Sequence, residues 1–293
     1  MNVIIKPKNY NEATFGMSWF EDSMQESLTL SEKHVKPYST FIDFGAGTGN
    51  STLRILNKYK DYRKMYVVDN SKSWLSKAVD TLKDYNNIDY IQSDEYSLMK
   101  IGIEKNTIDY IFSTNTVHLI KDFKKLARDF YLLLTNKGVI NLSSGNIKGG
   151  DNSRLLLFDH ATESIHGICI GLLCEKGIYF NDKKTIDEMK LQRKFVFPEA
   201  RDRSYYINAL YQVGFKHINC YNKKIKIYYS DWKKLLLLNR LQRGILPEIE
   251  DVIFREKLIN VGIDMYFDIL KNTIPGSNNL YFEIQYTFIQ ARK

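Results

Sequence analysis

The sequence lacks most features that would set it apart from an ordinary globular protein. It has three cysteines, Cys169, Cys174 and Cys220. They cannot all pair and show no C-x-x-C spacing, which argues against a disulfide framework. No apolar run approaches the length of a membrane span, and Met1-Asn2-Val3-Ile4-Ile5-Lys6 lacks the long apolar core of a signal peptide. A cytoplasmic protein without a membrane partner is expected. No internal repeat or low-complexity tract is present. His160 and His166 are not at the i, i+4 spacing that puts two ligands on one helix face, so no metal is expected.

What remains is a chain of 293 residues, long enough to bury one sizeable core as a single large domain with insertions. Hydrophobic residues at 44% and charged residues at 26% are ordinary for a soluble globule. The net charge of +8 could attract nucleic acid. The lysines are scattered among many Asn, Ile and Tyr, however, so a biased composition accounts for the charge without such a partner.

The most informative stretch is Phe41-Ile42-Asp43-Phe44-Gly45-Ala46-Gly47-Thr48-Gly49. A short apolar run breaks into alternating glycines and continues as Ser51-Thr52-Leu53-Arg54-Ile55-Leu56 with helical periodicity, so strand, tight turn and helix are predicted. Glycines at alternate positions remove Cβ where a turn must press against a ligand. A dinucleotide fingerprint would read G-x-G-x-x-G, but here the third glycine, Gly49, comes one residue early. With Asp43 two residues before the first glycine, D-x-G-x-G-x-G resembles motif I of the class I S-adenosylmethionine (SAM) methyltransferases.

The following elements agree with that resemblance. Lys64 to Asp69 is an apolar run ending in an acid about 20 residues past the glycines, where a carboxylate can accept the ribose hydroxyls. Ile88 to Asp94 reads as a third strand ending in an acid, which in the family faces the adenine amino group. Ile108 to His118 resembles the fourth strand and its loop, and Leu132 to Leu142 the helix, glycine turn and fifth strand. The resemblance therefore implies SAM as cofactor, held by Asp43, Gly45, Gly47, Gly49, Asp69 with Asn70, Asp94 with Glu95, and Ser113 and Asn115. It also implies an α/β, Rossmann-like, doubly wound, seven-stranded, mostly parallel sheet with helical cap insertions.

The remaining chain divides around that core. Residues 1–36 form N-terminal lid helices, in which Tyr10, Phe15 and Trp19 are candidates for a wall near the methyl group, or simply pack the first helix on the sheet. Residues 37–142 form the SAM-binding core. Residues 143–200 are a cap insertion, of a length that favours an enclosed pocket. Residues 201–293 complete the sheet, with a second helical cap element over about 231–271 and Leu280 to Phe288 as a seventh, antiparallel edge strand.

His118 is the candidate general base, since its ordinary pKa near 6.5 suits the role, or else it caps or packs the helix that follows. Tyr10 is the second candidate catalytic residue. Ser113-Thr114-Asn115-Thr116 is not the [D/N/S]-P-P-[Y/F] motif that resembles base-amino methyltransferases, which counts against nucleic acid. The expected reaction is methyl transfer from SAM to an oxygen or nitrogen of a small molecule, as in specialised metabolism, by a monomer or homodimer. The alternatives are a nucleic-acid or protein methyltransferase and a non-catalytic SAM-binding module. Arsenite methyltransferases of this fold use cysteines in roughly the regions of Cys169, Cys174 and Cys220, against which stands the reading of buried, inert thiols.

Overall fold

A computed structural model of the protein describes residues 16–94, 96–149, 156, 160–179, 182–273 and 280–293. The chain forms two compact units. One comprises Phe20–Asp151, Ala200–Lys223 and Tyr286–Lys293, the other Met1–Trp19, Asn152–Glu199 and Lys224–Gln285.

The first unit is built on the sheet. Its strands are β1 (Thr40–Phe44), β2 (Lys64–Asp69), β3 (Ile88–Gln92), β4 (Ile108–Thr114), β5 (Leu134–Ser144), β6 (Lys216–Tyr228, as far as Lys223) and β7 (Tyr281–Arg292, from Tyr286 onward), in the order β3-β2-β1-β4-β5-β7-β6. The first five run parallel, and β7 pairs antiparallel to β5. The helices of this unit are α1 (Ser18–Ser31, from Phe20 onward), α2 (Asn50–Lys58), α3 (Lys72–Thr81), α4 (Phe123–Leu133) and α7 (Arg203–Val213). Helix-covered parallel strands are buried on both faces and so read as continuous apolar runs. Accordingly Ile42, Val68, Ile111, Phe130 and Leu142 are fully buried, and Phe44 meets Phe130 edge-on at 5.3 Å between ring centroids. Each such side chain contributes roughly 1.5–3 kcal/mol by leaving water. The strand order reverses at β1, between β2 and β4, and open α/β sheets bind ligands beyond the carboxyl ends of the strands at that point.

Two details differ from the sequence-based expectation. β7 is antiparallel but lies between β5 and β6, so β6 is the edge. The reason is chemical: Ile284, Tyr286, Phe288, Ile289 and Ala291 of β7 are all buried, whereas β6 exposes Lys216, Lys223, Lys224 and Lys226, as suits an edge that must not pair further. The glycine turn expected before β5 is instead a bulge within it. Ile108 pairs with Leu134 and Tyr110 with Val139, and the ladder absorbs the residues between.

The second unit is helical: α5 (His160–Glu175), α6 (Lys183–Val196), α8 (Tyr229–Leu236), α9 (Asn239–Ile245) and α10 (Val252–Thr273). Asp251 starts α10 by accepting the Phe254 N–H at 2.9 Å. Helices α5 and α10 approach closely at Gly262, where a Cβ would stand 2.8 Å from the Cys169 sulfur.

Candidate active site

The loop Gly45 to Gly49 leaves β1 and enters α2. It is tied to the neighbouring strand by the N–H groups of Gly45 and Ala46, which donate to the Val68 carbonyl at 2.8 and 3.1 Å. Gly45 and Gly47 have φ of +74° and +57°, the left-handed region that side chains rarely adopt. A Cβ at Gly45 would overlap the side chain of Thr116, whose hydroxyl lies 3.1 Å from the Gly45 carbonyl. A Cβ at Gly47 would stand 3.4 Å from the Trp74 ring in the first turn of α3. The glycines were legible in the sequence, but these two neighbours were not. Thr116 follows β4 directly, and position after a strand was the only available signal.

The acids at the strand ends do different work. Asp43 is fully buried, and its Oδ2 accepts from the hydroxyls of Ser51 and Thr52, both at 2.6 Å, which clamps the first turn of α2 onto β1. Its Oδ1 is buried without a partner. Burial raises the carboxyl to about 6 against these two bonds, with the nearby Asp69 charge adding to the rise. Asp43 thus holds the start of α2 with one oxygen and keeps the other unpaired.

Asp69 closes β2 and accepts the Gly47 N–H on Oδ2 and the Ser71 N–H on Oδ1, each at 2.9 Å. Burial raises its pKa while those backbone donors oppose the rise. Asn70 beside it is exposed, and its carbonyl accepts from Gln92 at 3.1 Å. Asp94, past β3, takes the Ser97 hydroxyl at 2.7 Å and the Tyr96 N–H at 2.9 Å, both on Oδ1. The Ser97 bond holds its carboxyl below the usual range. Glu95 lies outside the described residues.

Beyond β4 the chemistry is neutral. Ser113 is buried and donates to the Phe44 carbonyl at 2.8 Å, locking β4 to β1. Asn115 has φ of +54°; its N–H donates to the Ser143 carbonyl at 2.8 Å and its Oδ1 accepts the Gly145 N–H at 3.5 Å. The Nδ1 of His118 lies 2.9 Å from the Ser144 hydroxyl, and that oxygen accepts the Asn146 N–H at 2.9 Å. Burial lowers the His118 pKa to about 4, so the ring is neutral at ordinary pH. Ser144 is fully buried, and its hydroxyl joins the His118 ring to the Asn146 amide.

Over the ends of β4 and β5, α1 is bonded by Asn141 donating to the Ser27 carbonyl at 2.9 Å and by the Ser27 hydroxyl on Ser143 at 3.3 Å. Tyr10 and Phe15 lie outside the described residues, and Trp19 belongs to the helical unit, where it is buried and donates to the Met17 sulfur at 3.3 Å. Also in that unit, His166 bonds Glu248 at 3.1 Å, and burial pushes the Cys169 thiol up to about 12, making it unreactive. On β6, burial likewise raises the Cys220 thiol.

The arrangement offers a backbone cradle without Cβ atoms at alternate positions, a carboxylate bonded to it at the end of β2, and a second carboxylate past the end of β3. That set fits a nucleoside with vicinal hydroxyls and an exocyclic amine, with neutral donors at the neighbouring strand ends. Residues 41–138 match the family model described as a methyltransferase domain. No curated protein matches the sequence. Among solved structures, the YcgJ protein of Bacillus subtilis is similar at 16% identity and TM-score 0.56, over 92% of this chain and 98% of its own. A candidate sarcosine dimethylglycine methyltransferase of Galdieria sulphuraria is similar at 14% identity and TM-score 0.52, over 94% and 85%. The [4+2]-cyclase SpnF is similar at 12% identity and TM-score 0.52, over 95% and 84%.

Proposed function

From the premise that this chain is a SAM-dependent methyltransferase of the class I fold, we propose that it methylates a small molecule, at nitrogen in preference to oxygen. The observation that carries this reading is the environment of His118. With Nδ1 engaged by Ser144 and burial holding the ring well below its ordinary pKa, His118 is a poor base for an acceptor proton. An oxygen acceptor must be deprotonated as it attacks, whereas a neutral amine already carries a free lone pair. Small size is supported by the long helical segments that follow β5 and precede β7, since long insertions in an enzyme domain usually serve function.

In this reading Gly45 to Gly49 and Asp69 hold the adenosyl ribose, Asp94 receives the adenine amine, and Asp43 holds the start of α2. Asn70 and Asn115 border the cofactor, while Ser113 keeps β4 and β1 in register. When bound, SAM supplies an electrophilic methyl group and a neutral thioether leaving group. The residues around it need only bind and orient, and positioning of that kind lowers a barrier by several kcal/mol. His118 would orient the acceptor through Nε2.

The test is incubation with isotopically labelled SAM and a panel of amines, phenols and alcohols, with products read by mass spectrometry. Labelled amines are expected. Labelling confined to hydroxyl compounds would overturn the nitrogen preference, and labelling only of RNA or protein would overturn the small-molecule reading. S-adenosylhomocysteine binding by calorimetry, without turnover of any acceptor, would point to a SAM-binding module.

A further inference from the structure

Helix α10, with 22 residues, is the longest of the described helices. One side of it, including Leu258, Ile259, Gly262, Ile263 and Phe267, is buried in the helical unit. The outer side is also apolar in part. Ile253 is 69% exposed, Val261 46%, Met265 40% and Ile269 52%. Single exposed apolar residues are ordinary, but these recur on one i, i+4 row, the ridge by which helices pack against each other. Lys257 fills the remaining ridge position between Ile253 and Val261, and Asp268 borders the ridge beside Ile269; both are exposed. Asp264, the other acid on this side, is held by Lys233 at 2.8 Å and by Tyr229 at 2.7 Å.

We propose that this ridge is the contact between two copies of the chain, crossing antiparallel about a two-fold axis between Val261 and Met265. Packing of i, i+4 ridges into each other uses the same rows on both helices, as a two-fold contact requires. About that axis Lys257 stands as far to one side as Ile269 does to the other. Lys257 of each copy therefore reaches the turn that carries Asp268 of the other, giving two symmetric ion pairs at the rim of an apolar seam. The charges make the ridge complementary to itself in the antiparallel sense, and parallel pairing would set Lys257 against Lys257. This inference is independent of the reaction catalysed.

Sedimentation velocity on the full chain, up to about 100 μM in 0.15 M salt, should show a concentration-dependent dimer in the micromolar range or tighter. Met265→Glu places a charge in the seam and should give monomer at every concentration. Lys257→Asp should weaken association about tenfold, and Lys257→Asp with Asp268→Lys should restore most of it. Circular dichroism and S-adenosylhomocysteine binding, unchanged in each variant, separate lost association from lost folding. A wild-type chain that is monomeric throughout overturns the proposal. So does a dimer indifferent to Met265→Glu, or a double reversal no better than the single one.

Discussion

The carboxyl ends of β1 and β2 and the carboxyl ends of β4 and β5 lie side by side in one sheet and are held by opposite chemistry. At the first, two buried acids fix the loop: Asp43 grips the hydroxyls of Ser51 and Thr52, and Asp69 grips the Gly47 N–H from beside it. At the second, Ser113 bonds the Phe44 carbonyl, Asn115 accepts the Gly145 N–H, and Ser144 joins a neutral His118 to the Asn146 amide, with no ionised group among them. Carboxylates are strong acceptors for a ribose and an amine, while neutral donors and acceptors orient a nucleophile without stabilising a charge that the reaction must discharge. In the proposed reading one strand edge binds the cofactor and its neighbour orients the acceptor.

The largest break in this comparison should come from the loop itself. Gly45→Val drives a side chain into Thr116 at a positive φ, and SAM affinity by calorimetry should fall at least about 100-fold, some 2.7 kcal/mol. Gly45→Ala combined with Thr116→Gly should recover part of that loss, because only the φ strain then remains. If the pair is no better than Gly45→Ala alone, the contact with Thr116 is not what makes glycine necessary.

Asp69→Ala removes the acceptor for the Gly47 and Ser71 amides as well as the proposed ribose site, and should cost about 100-fold in SAM affinity with the thermal unfolding midpoint little changed. An unchanged affinity would remove the assignment of Asp69 to the ribose.

Asp43→Asn should act on stability rather than contact. The folded pKa near 6 exceeds the ordinary value of 3.8, so the stability lent by the bound proton is complete below about pH 4 and is lost as pH rises through 6. The wild type loses up to about 3 kcal/mol over that interval and the Asn variant does not, a difference that urea unfolding at pH 5 and 7.5 can read. Parallel pH profiles would mean that Asp43 is not charged against its burial.

The smallest effect is expected at His118, with the opposite sign. Its folded pKa of about 4 lies below the ordinary 6.5, so its contribution is complete above 6.5 and is lost as pH falls through 4. The ring is half-buried, and solvent screening limits this to about 2 kcal/mol or less. His118→Gln keeps an N–H donor and should retain most of the turnover, whereas His118→Ala should lose about tenfold at unchanged SAM affinity. A loss in the Gln variant equal to that in the Ala variant, together with a kinetic pKa near 6.5 in the wild type, would restore the base role.

What could be read from the sequence was what repeats locally. Gly45, Gly47 and Gly49, the apolar run that ends at Asp69 and the helix after Gly49 declare themselves within a few residues of chain, because turn geometry and strand burial impose their own residue types. The placement of Ser113 against the Phe44 carbonyl, of Thr116 against Gly45 and of Ser144 against His118 was not readable. In each case the partner lies on another strand, and nothing local to a serine or threonine says which carbonyl or ring it will meet. β7 went to the sheet interior rather than its edge for a similar reason, since an alternating strand fits either place until the faces of its neighbours are known.

The sequence by itself determined the sheet's first five strands, the glycine cradle and hence the cofactor, because close backbone approach and continuous burial leave few residue choices. Only the tertiary structure decided that Asp43 clamps the start of α2, that His118 is buried against Ser144 with a lowered pKa, and that α10 keeps an apolar ridge exposed. Those outcomes depend on which groups share a buried volume, and burial sets protonation and exposure through contacts between residues far apart in the chain.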